Sequence, residues 1–184
     1  MKNYFVLIIG AFALAISIVA IRQKAQAQDS VVAKTNSHSA TAEQIFVTEI
    51  PPGYRDWRLI SVAHEEGELN DIRAILGNDI AINAYREGKL PFPEGAIIAR
   101  LAWSHVPSEE NNKTFGRAQS FVAGSPTNGV QFMVKDSKKY AATGGWGYAH
   151  FDDGKPAADA VMQSCFACHK AIKSRDYVFA RYSP

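Results

Sequence analysis

The chain has few cysteines that could cross-link a small domain and no basic cluster that could bind nucleic acids. Only two cysteines occur among its 184 residues, and a disulfide between Cys165 and Cys168 would close a very short loop that constrains the unfolded chain little. The pair is therefore better explained by chemistry than by structure. The 20 lysines and arginines are scattered among 18 aspartates and glutamates, which gives a net charge of +2 and no basic cluster. The composition thus gives no support for nucleic-acid binding.

Only one apolar run is long enough to approach the thickness of a membrane. It covers residues 4–21, follows Lys2 and is succeeded by the small-residue pattern Ala25-Gln26-Ala27. This order is typical of a secretory signal peptide, which we predict over residues 1–27. Because the run is long for a signal peptide, a retained N-terminal membrane anchor is the alternative. In either case the rest of the chain leaves the cytoplasm, and we expect a periplasmic protein.

The remainder of the chain divides into a linker and one domain. Residues 28–44 are rich in Ser, Thr, Ala, Asn and Gln and lack apolar periodicity, which predicts a flexible linker. Residues 45–184 have the length of one ordinary domain and suffice for a single core around a cofactor. We therefore predict a single cofactor-binding domain over residues 45–184.

The predicted fold is α+β, mainly an antiparallel β-sheet with flanking helices. Alternating or β-branched residues predict about five strands, at residues 58–64, 96–106, 117–123, 130–134 and 146–151. Turn residues such as Gly124-Ser125-Pro126 separate these strands, and short strands joined by turns favour antiparallel pairing. Helices are predicted over residues 69–76, from a cap at Asn78 or Asp79 to Gly88, and from Pro156 to the C-terminal region.

The C-terminal helix carries the motif with the clearest chemistry. Cys165-Phe166-Ala167-Cys168-His169 is the C-x-x-C-H pattern of covalent haem attachment. Two thiols three positions apart on a helical turn can reach the two vinyl groups of one porphyrin edge, and the adjacent imidazole can reach the iron. We therefore predict one haem c, covalently attached through Cys165 and Cys168, with its iron ligated by His169.

Two other uses of this pattern are left as alternatives. A thioredoxin-like pair normally lies at the N-terminus of a helix in a βαβ unit, whereas this pair lies late in the chain and inside a helix. A structural zinc site would need two further ligands, and His150 is the only histidine shortly before the motif. Disulfide chemistry and zinc binding are therefore weaker explanations than haem.

The sixth ligand of the iron decides between electron transfer and ligand binding. None of the 15 residues after His169 is Met or His, and Met162 lies on the same helix as His169, so that it is not expected to reach the opposite face. Four upstream residues are formal candidates that are better explained as ordinary core or surface side chains: Met133, His64, His105 and His150. We therefore expect a five-coordinate iron, which binds small molecules.

Several further segments carry a resemblance to a known family. They are Tyr54-Arg55-Asp56-Trp57, Ala74-Ile75-Leu76-Gly77-Asn78-Asp79, Gly88-Lys89-Leu90-Pro91, Trp146-Gly147-Tyr148 and Asp176-Tyr177-Val178-Phe179. With the late C-x-x-C-H motif, these segments resemble the cytochrome P460 and cytochrome c′-β family over about residues 45–184.

The resemblance implies a homodimer and a five-coordinate haem c that binds nitric oxide or hydroxylamine. The P460 enzymes of the family have a lysine bonded to the porphyrin rim and oxidise hydroxylamine, with electrons leaving to a partner cytochrome. The c′-β members lack that bond, cap the iron with apolar aromatic residues and bind nitric oxide. Lys89 is the candidate for the cross-link, and a solvated turn residue after the Gly88 helix stop is the alternative explanation of it.

The sequence does not decide whether the chain is an enzyme. A hydroxylamine-oxidising haem oxidoreductase would need polar groups near the iron, and the available residues are equally explained as solvated side chains: Arg55, Arg58, Glu65, Glu66, Glu94 and Asp136. The first hypothesis is an exported mono-haem cytochrome that binds, and in the enzymatic case oxidises, hydroxylamine or nitric oxide. A non-catalytic electron carrier or a nitric oxide scavenger or sensor is the alternative.

Overall fold

The computed structural model describes residues 46–183. The predicted signal peptide, residues 1–27, and the predicted linker, residues 28–44, lie outside this part of the chain. Within residues 46–183, no helix combines the length and the apolar character needed to cross a membrane.

The described residues form one six-stranded sheet in which neighbours in the chain are also neighbours in space. Every pairing of these strands is antiparallel, which confirms the predicted α+β class. The strands are β1 Arg58–Glu65, β2 Asp71–Gly77, β3 Ile97–Pro107, β4 Phe121–Lys135, β5 Trp146–Asp152 and β6 Lys155–Pro156. The helices are α1 Asp79–Arg86, α2 Glu109–Phe115 and α3 Asp159–His169, with short 3-10 helices at Tyr54–Asp56, Ala141–Thr143 and Lys170–Arg175.

Each face of the sheet buries its own apolar cluster, because side chains alternate between the two faces along every strand. On one face Ile98, Met133 and Tyr148 stand side by side in register and belong to the cluster that includes residues of α1 and Val178 near the C-terminus. On the other face Ala99, Phe132 and Ala149 are in register and pack with Val47 and Tyr140, among others. The first face is the one that meets the C-terminal segment.

The predicted helix over residues 69–76 is wrong, because this segment forms β2. Its apolar residues Leu69, Ile72, Ile75 and Leu76 follow a helical spacing, but β2 lies between β1 and β3 and exchanges backbone hydrogen bonds with both. The residues from Ile72 to Leu76 are half-buried on both faces of the sheet, so the strand shows no strict alternation. The tertiary pairing therefore overrides the local pattern.

The predicted separation of residues 117–123 from 130–134 is also wrong. β4 runs without interruption from Phe121 to Lys135 through the predicted turn residues. Its partner β3 is itself 11 residues long, and the pair accommodates Gly124 and Pro126 by two register shifts. This merger leaves four of the predicted strands, and β2 and β6 bring the sheet to six. Helix α2 occupies residues that carried no helix prediction.

The second predicted helix is confirmed as α1. Asn78 caps it, since its side-chain oxygen accepts hydrogen bonds from the backbone N–H of Ala81 at 3.0 Å and of Ile97 at 3.1 Å. The chain leaves the helix at Gly88, whose φ of 62° is left-handed. One amide side chain thus fixes both the start of α1 and its contact with β3.

Candidate functional site

The motif cysteines lie in the last turns of α3, which packs against β5. Cys165 is half-buried and Cys168 is exposed, and both are free thiols. Met162 is the only buried residue of this helix, whereas Val161 is 43% exposed. Much of the apolar surface of α3 is therefore left uncovered by the described part of the chain.

Of the two ring nitrogens of His169, one forms a hydrogen bond within the described residues and the other does not. Its Nδ1 lies 2.6 Å from the backbone oxygen of Tyr177. Because a carbonyl oxygen only accepts, Nδ1 must carry the proton. Burial lowers the pKa of His169, although the hydrogen bond to Tyr177 opposes that effect, so the ring is neutral and Nε2 holds a lone pair. No residue of 46–183 forms a hydrogen bond with Nε2. The lone pair of Nε2 is therefore available to bind a metal ion.

Aromatic rings surround His169. The ring centroids of Tyr148 and Phe179 lie 5.1 Å and 5.0 Å from that of His169, and Phe166 packs near Tyr148 and Tyr177. Phe179 is 52% exposed, so its ring presents apolar surface next to the imidazole.

The hydroxyl of Tyr148 is buried and has no hydrogen-bond partner among the described residues. Burial also raises the pKa of Tyr148, which keeps the hydroxyl neutral. A buried hydroxyl that lacks a partner is costly. Its position beside His169 indicates that a group other than the folded chain completes this site.

These features fit a covalently attached haem. The two thiols and the free Nε2 stand on one helix, and the surface around them is aromatic and partly exposed, as an apolar porphyrin edge requires. The zinc alternative finds no support, because no group of three His, Cys, Asp or Glu side chains within residues 46–183 could hold a metal ion.

The four candidate sixth ligands of the iron have different neighbours in the structure. His64 and His105 stack on each other with ring centroids 4.0 Å apart. His150 lies 3.0 Å from a carboxylate oxygen of Asp152. Met133 is buried and stands opposite Tyr148 in the β4–β5 pair. None of the three histidines contacts His169, whereas Met133 belongs to the apolar cluster against which Cys165 and Phe166 pack.

Lys89 lies in the turn after α1, where its backbone N–H donates to the carbonyl of Ala84 at 2.8 Å. Its side chain is exposed and lines a cavity of about 260 Å³ with, among others, Phe92, Arg175 and Val178. The C-terminal segment that follows the motif thus forms one wall of this cavity, but Cys165, Cys168 and His169 do not line it.

The two candidate arginines are engaged at the surface. The guanidinium of Arg55 lies 5.2 Å from the ring centroid of Tyr54. Arg58 forms an exposed ion pair with Asp79 at 2.7 Å. The structure brings neither of them to the motif.

The candidate carboxylates are likewise distributed over the surface. Glu65 pairs with an arginine of β2 at 2.9 Å, and Glu66 is exposed. Glu94 accepts hydrogen bonds from the backbone N–H and the hydroxyl of Ser137, which lower the pKa of Glu94. Asp136 accepts from backbone N–H groups of the following turn. No carboxylate of this set stands out as a base for the site.

Sequence reasoning missed a buried ion pair next to the motif. Lys135, at the end of β4, is 4% exposed and its Nζ lies 2.9 Å from Oδ1 of Asp176, which is 8% exposed. A lysine at the end of an apolar strand is ordinarily solvated, and only the approach of the chain after His169 places a carboxylate beside it. No local signal in the sequence joins two residues that are 41 positions apart.

A family model described as Cytochrome P460 matches residues 51–180, which include all of the site described above. No curated protein matches the chain.

Proposed function

The chain belongs to the cytochrome P460 family, and on that premise we propose that it is an exported mono-haem protein that binds hydroxylamine or nitric oxide at an open iron. Members of this family bind haem c covalently, and the protein is a haem c cytochrome. The attachment residues, the coordination number, the ligand and the export are the parts that we propose.

Cys165 and Cys168 form the thioether bonds and His169 is the proximal iron ligand. The observation that carries this assignment is the hydrogen bond from Nδ1 of His169 to the Tyr177 carbonyl at 2.6 Å, which leaves Nε2 with a lone pair on the helix that holds two free thiols. The hydrogen bond orients the imidazole and raises its basicity. The exposed face of Phe179 and the unpartnered hydroxyl of Tyr148 lie beside the same ring.

The opposite face of the iron is open to a small ligand. This proposal is supported by the engagement of the three candidate histidines with other side chains. When bound, haem c supplies an iron that ligates a nitrogen atom and exchanges electrons. The chain contributes the proximal imidazole, the thiols and the apolar surface that excludes water.

Lys89 decides which branch of the family the protein follows. Its exposed ammonium borders the cavity formed with the segment after the motif, and a bond from Lys89 to the porphyrin rim would make hydroxylamine oxidation the working activity. Without that bond, nitric oxide binding is the better assignment. In the enzymatic case, electrons leave to a partner cytochrome.

The proposal includes export and self-association. The segment of residues 1–27 has the order of a signal peptide, so we propose a periplasmic location. A homodimer is proposed from the resemblance alone, and sedimentation of the matured protein at several concentrations tests it.

The test is to mature the full chain in a host that attaches haem c and to record spectra of the ferric, ferrous and nitric oxide forms. Lys89→Ala is compared with Lys113→Ala, which removes another exposed lysine outside the cavity. A high-spin ferrous spectrum that changes on addition of nitric oxide or hydroxylamine supports the open iron. A low-spin, six-coordinate spectrum that neither ligand perturbs contradicts it and favours an electron carrier.

The two lysine variants separate the branches. A red-shifted ferrous band that Lys89→Ala removes and Lys113→Ala preserves would assign the cross-link to Lys89. An ordinary high-spin haem c spectrum that is identical in the wild type and both variants would leave nitric oxide binding as the function and remove Lys89 from the site.

A further inference from the structure

The buried ion pair of Lys135 and Asp176 joins the sheet to the chain that follows the motif. The Nζ of Lys135 lies 2.9 Å and 3.0 Å from the two carboxylate oxygens of Asp176 and donates to the carbonyl of Gly144 at 3.2 Å. It also lies 5.0 Å from the ring centroid of Trp146. The position of the lysine is therefore fixed by Asp176 and by two contacts at the end of the sheet.

Asp176 is held from a second direction as well. One of its carboxylate oxygens accepts the backbone N–H of Phe92 at 2.8 Å. Both oxygens are thus occupied, and they are occupied by two separate segments of the chain. A buried carboxylate with charged and backbone donors on both oxygens has little freedom to move.

The residue after Asp176 provides the acceptor for His169. Asp176 and Tyr177 have φ values of 49° and 65°, a left-handed conformation that residues with a side chain rarely adopt. Two such residues in succession need support from their surroundings. The ion pair supplies this support at Asp176, and the resulting reversal of the chain brings the Tyr177 carbonyl to 2.6 Å from Nδ1 of His169.

We propose that Lys135 and Asp176 are positioning residues that set the strength of the bond between His169 and the haem iron. The inference rests on the proposed function, in which His169 is the proximal ligand. A strong hydrogen bond from Nδ1 gives the imidazole more anionic character, which strengthens the iron–histidine bond and favours ferric over ferrous iron. The ion pair maintains that hydrogen bond because it fixes the backbone that carries the Tyr177 carbonyl.

The test is a charge-neutral double variant, Lys135→Met with Asp176→Asn, in the matured haem protein. Because the net charge is unchanged, a shift reports geometry and not the loss of one nearby charge. The control is Asp71→Asn with Arg73→Met, which removes a buried ion pair of β2 without altering the net charge. The measurements are the iron–histidine stretching frequency of the ferrous form and the reduction potential of the iron.

We expect a lower stretching frequency and a higher potential in the Lys135 and Asp176 double variant, with wild-type values in the control. Lys135→Gln with Asp176→Asn provides a milder second variant, because the net charge is again unchanged and the amide oxygen at position 176 can still accept from Phe92. A smaller shift in the same direction is expected.

Wild-type values in both variants that lack the ion pair would overturn the inference. Loss of haem from both variants while the control retains it would overturn it too, since the pair would then serve folding. A wild-type protein in which iron carries no histidine band would instead overturn the proposed function on which the inference rests.

Discussion

The sheet and the C-terminal segment, residues 159–183, are stabilised by different kinds of contact. Strands β1 to β5 share continuous hydrogen-bond pairing and bury an apolar cluster on each face. The C-terminal segment begins with a helix of which only Met162 is buried. After this helix, Val178 packs into the apolar cluster of the first face. Polar contacts add to it: the hydroxyl of Tyr85 donates to the carbonyl of Ala180 at 3.1 Å and the N–H of Ser183 donates to the carbonyl of Ile60 at 2.8 Å.

Each region also has a buried carboxylate. We expect one of them to affect only stability and the other to affect the haem iron. Asp71 is completely buried in β2 and accepts hydrogen bonds from Arg73, Arg100 and Asn128. Its partners all belong to the sheet, so its loss should cost stability alone. Asp176 contacts the segment that carries the acceptor of His169. A disturbance near Asp176 should therefore reach the haem iron.

The largest effect is expected for Asp71→Asn. The substitution leaves two arginines without their buried counter-charge, and breaking such a pair costs about 3–4 kcal/mol. Urea unfolding at neutral pH should show this loss in the free energy of unfolding, while the spectrum of the folded haem protein stays that of the wild type. A changed spectrum would contradict the separation between the two regions.

The same carboxylate predicts a pH dependence. Burial alone would raise the pKa of Asp71, but the hydrogen bond and charge of Arg73, together with Arg100, lower it below the ordinary value of 3.8. A depressed pKa in the folded state contributes stability above pH 3.8, and this contribution disappears as the pH falls through the folded-state pKa. The stability difference between the wild type and Asp71→Asn should therefore shrink below pH 3.8. A difference that is constant with pH would contradict this assignment.

Gly144→Ala should have the second-largest effect on stability, and it should affect both the sheet and the C-terminal segment. Gly144 has a φ of 71°, and a Cβ added there would meet the ring of Tyr177. We expect a loss of about 2–3 kcal/mol from backbone strain and overpacking, together with a shifted iron–histidine frequency. Gly53→Ala is the matched control, because Gly53 has a similar φ of 70° with no atom within 4 Å of the added Cβ.

The control should lose about 1 kcal/mol and leave the iron unchanged. Equal frequencies in the two glycine variants would show that the Tyr177 carbonyl does not depend on the packing of its ring.

Among the three test variants, Met162→Ala should have the smallest effect on stability, about 2 kcal/mol, which is the lower end for a buried methionine. Met162 is 5% exposed, but the rest of α3 is open enough to relax around the gap. Thermal unfolding of the matured protein measures the loss. A loss as large as that of Asp71→Asn would show that α3 is anchored as firmly as the sheet.

The sequence predicted the parts of the fold that depend on local chemistry. The cap at Asn78 and the stop at Gly88 define α1 by side-chain hydrogen bonding and backbone conformation, and both are confirmed. The antiparallel class follows from short strands and turns. Strand β2 was missed because Ile72, Ile75 and Leu76 have a helical spacing, and only the pairing with β1 and β3 makes the segment extended.

The site was predictable only in its covalent part. The spacing of Cys165, Cys168 and His169 identifies the haem-attachment motif, so this part of the site could be predicted without the structure. The support for the imidazole depends on Lys135 and Asp176, which come together only in the folded chain. The same holds for the proposed open sixth position, since the neighbours of a histidine cannot be read from its position in the sequence.

The most direct test of the account is the intact mass of the denatured polypeptide after maturation, for the wild type and for Cys165→Ser with Cys168→Ser. If haem is attached at these cysteines, the wild-type mass equals that of the polypeptide plus one haem, and the mass of the double variant equals that of the polypeptide alone. A bare wild-type polypeptide, or a double variant that still carries haem, would contradict the attachment of haem c at these two cysteines.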